Sequence, residues 1–123
     1  MAEEELPLYL HWVGFVRWLF GRTERFPRRV RQSVSVRLEC LALDFLEDLV
    51  QARYTRDRQA ILVRMNLRLE TLRVLLRLCH EQKFLAHEGY EYGSRQLLEA
   101  GRMVGGWLWS GRARGAPTSV ERV

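Results

Sequence analysis

The sequence predicts an all-α protein, an antiparallel up-down four-helix bundle that associates with copies of itself. Apolar residues make up 47% of the 123 residues, and leucine is the commonest residue. They recur at steps of three and four with no alternating strand pattern. Turn signals are few and cut the chain into four stretches of helical length, joined by connections short enough for antiparallel neighbours. Two of the four stretches carry a second apolar row opposite the first, which a lone bundle does not require.

The first helix has Leu8, Trp12, Phe15 and Leu19 on one side, with Val13, Val16 and Phe20 beside them. Pro27 ends it. The second is read from Val30, with Val30, Val34, Leu38, Leu41, Phe45 and Leu49 facing the core. Val36, Cys40, Leu43 and Val50 form its second row. The polar run Thr55 to Gln59 separates it from the third, where Leu62, Met65, Leu69, Leu72, Leu76 and Cys79 make a heptad stripe. At about 100° per residue, Val63, Leu67, Val74 and Leu78 fall on the opposite side, so they are expected at an interface between subunits. A solitary bundle that encloses its third helix is the simpler alternative. Turn signals at His80 to Phe84 and around Gly89 precede the fourth helix, which carries Tyr90, Leu97, Gly101, Val104 and Leu108 on one side. Glycine inside a helix costs up to roughly 1 kcal/mol relative to alanine, and close approach of another helix is the usual compensation. Gly101, Gly105 and Trp107 therefore join the expected interface; stacking of Trp107 and Trp109 on bases is the less favoured reading. The bundle is expected over residues 1–110, and the tail GRARGAPTSVERV, residues 111–123, is expected to be flexible.

The formal charge is +5, from 19 arginines and one lysine, Lys83. Charge is segregated along the chain. Arg17 to Arg37 holds seven arginines and one acid, Leu38 to Asp57 five acids and two arginines, and Arg58 to Arg77 five arginines and one acid. Arg28, Arg29, Arg31 and Arg37 crowd the start of the second helix, where the backbone dipole disfavours cations. Arg64 with Arg68 and Arg73 with Arg77 make two basic rows on the third. In an up-down bundle the starts of the second and third helices lie at opposite ends. Basic groups flanking the body suit a long polyanion better than a small phosphate ligand, although a solvated charged face explains any single run. Arginine-rich helical surfaces read phosphates and shape, so readout of base sequence is not expected.

The residues argue against several other classes. Cys79 and His80 are adjacent and diverge on a helix; no glutamate has a histidine three residues on, so no metal site is expected. Cys40 and Cys79 lie on apolar stripes and read as small buried hydrophobes. No nucleophile motif and no phosphate loop stands out, so neither catalysis nor a cofactor is expected. The acidic start MAEEELPLYL lacks a basic n-region, and Leu6 to Val16 is too short to span a bilayer. A cytosolic protein with reduced thiols is expected. The apolar first helix keeps a membrane-surface role as a weaker option.

Several stretches resemble one family. EAGRMVGGWL fits a Glu-x-Gly-Arg, two apolar, Gly, small, Trp pattern. NLRLETLRVLLRLCHEQKFL and FPRRVRQSVSVRLECLALDFLEDLVQARY look like that family's third and second helices. Across Leu6 to Ser110 the chain resembles the accessory variability determinant (Avd) family of diversity-generating retroelements, small bacterial four-helix bundles. The resemblance implies a homopentameric barrel without a catalytic centre. It also implies association with a reverse transcriptase and with template RNA, and possible contact with DNA, in support of mutagenic cDNA synthesis. On that reading Arg28, Arg29 and Arg31 touch nucleic acid or the polymerase, and Arg37, Arg64, Arg68, Arg73 and Arg77 extend the surface or pair between subunits with Glu39, Asp44, Glu47 or Glu70. A structural, RNA-associated oligomer with no polymerase partner is the alternative.

Overall fold

In the computed structural model, residues 6–115 are described, with side chains through Leu108. Residues 1–5, most of the expected tail and the Trp109 side chain lie outside that set. Four helices account for nearly all of it: α1 Leu6–Thr23, α2 Val36–Tyr54, α3 Gln59–Glu81 and α4 His87–Gly115. α4 runs past the expected boundary at residue 110.

Each helix packs against its neighbours in sequence, and α4 closes the ring on α1. Cross-helix pairs show that all four seams are antiparallel. Asp48 meets Arg64 and Asp44 meets Arg68 between α2 and α3. His11 donates from Nε2 to the Gln96 carbonyl oxygen (2.8 Å), and Trp18 lies 5.1 Å from Tyr92, between α1 and α4. The core is the one read from the stripes: Leu8, Trp12, Phe15 and Leu19 from α1, Leu38, Phe45 and Leu49 from α2, the α3 heptad stripe, and Leu97 and Val104 from α4. Buried Trp12 keeps its polar atom satisfied, donating from Nε1 to the Ala42 carbonyl oxygen at 2.8 Å.

The start of the second helix differs from expectation. Residues Arg28–Val30 form a 3₁₀ turn and Arg31–Ser35 a π-helical segment, and regular α-helix begins only at Val36. An α-helix would turn Val30 and Ser35 about 140° apart; the wider π turn lets both point inward, and both are buried.

α3 ends in a Schellman cap. Phe84 N–H bonds to the Cys79 carbonyl (2.9 Å) and Lys83 N–H to that of His80 (3.0 Å). Lys83 takes φ 67°, the left-handed position usually held by glycine. Gly89, read as part of that turn, instead lies in the first turn of α4. Gly93 is required where α4 crosses α1 and α3, because a Cβ there would stand 2.8 Å from the Trp18 ring and 2.9 Å from Leu76 Cδ1.

Candidate nucleic-acid interface

The eight arginines expected to bind divide into two groups. Arg28, Arg29, Arg31 and Arg37 are exposed, and among the described residues none pairs with a carboxylate. The four on α3 are all paired within the chain. Arg64 Nη2 and Arg68 Nε lie 2.8 and 2.6 Å from the two oxygens of Asp48, whose residue is only 3% exposed. Arg68 also reaches Asp44 at 3.5 Å, and Arg64 donates to the Gln51 side chain at 2.8 Å. Arg73 pairs with Glu70, and Arg77 with Glu81 at 3.2 Å. The antiparallel register sets Asp44 and Asp48 of α2 against Arg64 and Arg68 of α3, whereas Arg73 and Arg77 pair with acids of their own helix.

Arg53 and Arg56, exposed and also without a carboxylate partner among the described residues, lie at one end of the bundle; Arg28, Arg29 and Arg31 lie at the other. The chain between α1 and α2 folds against the α3–α4 turn, with Phe26 5.9 Å from Phe84 and the Arg29 guanidinium 5.3 Å from the Phe84 ring centroid. Arg25 and Lys83, both exposed, lie at this end as well. Sequence reasoning missed both; the available signal was Phe84, an aromatic in a turn that needed a partner. The geometry also explains why arginines tolerate the start of the second helix. The carbonyl ends of α1 and α3 are at the same end, and their partial negative charge offsets the unfavourable dipole of α2.

The expected interface residues divide too. Val63, Leu67, Val74 and Leu78 are 58, 66, 65 and 44% exposed, an apolar row pointing straight out from α3. Val36, Leu43 and Val50 do the same on α2 and are joined there by Cys40, which is exposed and not buried as expected. Gly105 is open, with no atom within 4 Å of an added Cβ. Gly101 instead serves an internal approach, because its Cβ would stand 3.2 Å from the Arg73 guanidinium. Trp107 belongs to the core, with Arg58 stacked 4.9 Å from its ring centroid. Leu98 on α4 is half exposed, an apolar position the sequence reading did not single out.

Cys79 is fully buried, and burial pushes its thiol up to about 11, the inert form of a cysteine. Among the described residues no group of three or more His, Cys, Asp or Glu could hold a metal. No helix in that set is long and apolar enough to cross a membrane.

A model of the bAvd-like family matches residues 11–110. The chain belongs to the bAvd-like family. It is therefore an Avd-type protein, of the accessory kind found with diversity-generating retroelements. No curated protein and no solved structure matches the chain. The match takes in the basic end, the α2–α3 ion pairs and the outward rows, so this bAvd-like chain carries all three within the region that defines its family.

Proposed function

We propose that this bAvd-like protein is a non-catalytic adaptor that holds the phosphates of template RNA, and of cDNA, against its basic end while a reverse transcriptase copies the RNA. The supporting observation is the split among its cations. Those on α3 are spent on Asp48, Asp44, Glu70 and Glu81, whereas Arg25, Arg28, Arg29, Arg31 and Lys83 share one end with no carboxylate partner among the described residues. Unpaired cations release counterions when they meet phosphate, and that release drives salt-dependent binding. The outward apolar rows of α2 and α3 join copies into a homo-oligomer, a pentamer by family resemblance, which multiplies the basic end around a ring. The protein acts in the cytoplasm beside the polymerase.

The test is RNA affinity measured against salt for the wild type and for the combined change Arg28→Gln, Arg29→Gln, Arg31→Gln. The variant should stay oligomeric and bind more weakly. The slope of log affinity against log salt should fall by roughly two, at about 0.7 per lost contact on a single strand. The pair Arg73→Gln, Arg77→Gln should change the slope little. An unchanged slope in the triple variant would remove the basic end from the binding surface.

A further inference from the structure

The end of the bundle away from Arg28 carries an aromatic ring that the fold leaves bare. Tyr54 is the last residue of α2 and is 77% exposed, the most of any large hydrophobic residue described. Isolated exposed apolar residues are common, but this one has company. Tyr54 lines a cleft of about 360 Å³ between the start of α1 and the end of α2, together with Leu6, Tyr9, Val50 and Arg53. Leu6 and Val50 are exposed as well, so apolar surface runs on from the ring. The Arg53 guanidinium lies 5.4 Å from the ring centroid and leaves most of the ring open. Arg53 to Arg58 holds three arginines and a single acid, Asp57. Arg53 and Arg56 are exposed and have no carboxylate partner among the described residues.

The ligand that suits such a place is flat, apolar on its faces and joined to negative charge. A simple anion would use the arginines and leave the ring and the aliphatic groups in water. A lipid surface calls for a protruding apolar face, and this one is recessed. A nucleobase satisfies both halves of the site. Every base has a π-face to lay on an aromatic ring, and arginine suits its phosphates. We propose that Tyr54 is a stacking platform for one base of a single strand, with Arg53 and Arg56 on the flanking phosphates. The cleft falls within the range of about 300–1,000 Å³ usual for small-molecule sites. Stacking reads no base edge, so the platform accepts any base. The inference rests on the nucleic-acid-binding reading above and adds a second point of contact. The 19-residue α2, about 28 Å long, separates it from the first. A strand held at both ends therefore lies along the bundle.

The test is fluorescence anisotropy of the full chain with two single strands of about twelve nucleotides, within the usual site sizes of single-strand binders. One is an adenine tract, and the other is the same sugar–phosphate strand with stable abasic positions. The wild type should bind the adenine tract more tightly. Tyr54→Ala should lower that affinity about fivefold or more, the lower end of what one stacked base supplies, and leave the abasic strand unaffected. Its salt slope should match the wild type's, because stacking releases no counterions. Arg53→Gln should instead lower the slope by about 0.7, one phosphate contact on a single strand. Tyr54→Phe should keep wild-type affinity. Because the ring stands largely in water, none of these changes should alter Tm. A Tyr54→Ala protein that binds both strands as the wild type does would overturn the platform and leave phosphate binding at the other end intact. A smaller particle in native mass spectrometry, with equal losses on both strands, would also overturn it, by assigning the ring to contact between copies. No binding of either strand by the wild type would overturn both readings.

Discussion

Asp48 is the residue on which the α2–α3 seam turns. Its carboxylate is buried and held by two half-buried arginines, and the two sides of this arrangement are not equivalent. Removing the cations strands a buried charge, which costs about 3–5 kcal/mol where compensation is lost. Removing the charge leaves two arginines able to reach water. The double change Arg64→Ala, Arg68→Ala should therefore lower unfolding free energy by on the order of 3 kcal/mol, and Asp48→Asn by clearly less, as read from chemical denaturation. Equal losses would show that packing around Asp48, and not its charge, sets the stability there. The arginines were legible in the sequence, but their neutralisation was not. Composition counts charges along a line, and only the antiparallel register brings residue 48 opposite residues 64 and 68. Cys40 was misjudged for a related reason: an apolar row shows that a helix has a face without saying what covers it.

At the scale of the element, the four helices and their core stripes could be read almost directly, because periodicity depends only on helix geometry. The departures lie where the backbone leaves the regular α form. Nothing in RQSVS announces a π segment, and a lysine at a left-handed helix cap defies the usual preference for glycine. Helix α4 shows how one residue type serves opposite purposes. Gly93 is hemmed in by Trp18 and Leu76, whereas Gly105 faces open space. Gly93→Ala should destabilise the fold by about 1–3 kcal/mol through overpacking, despite alanine's better helix propensity. Gly105→Ala should raise Tm slightly in the isolated subunit, by the helix-propensity gain of up to about 1 kcal/mol. Thermal melts of the two variants in parallel test this. A Gly93→Ala protein as stable as wild type would mean that the Trp18 ring yields.

For the whole molecule, the outward rows give assembly a specific expectation. Leu67 and Val74 touch little of their own subunit, so Leu67→Glu with Val74→Glu should leave far-ultraviolet circular dichroism and the melting of the single subunit nearly unchanged. The particle seen by native mass spectrometry should become smaller. A variant that keeps its mass would move the interface off α3. The sequence made this row visible because its spacing matched the core stripe half a turn away. It also showed the arginines at the start of the second helix, but hid the share of Lys83 in that surface, which joins chain segments more than fifty positions apart. The ring of helices has one further consequence, for the order of folding. Three of its four seams join helices adjacent in sequence and can form by short hairpin closures, a topology associated with fast folding. The fourth joins α1 to α4 through His11 with Gln96 and Trp18 with Tyr92. A chain leaving the ribosome can thus assemble three helices early. Until Tyr92 and Gly93 have emerged, nothing of α4 covers Trp18 and Leu76, so the ring closes only when the last helix is made.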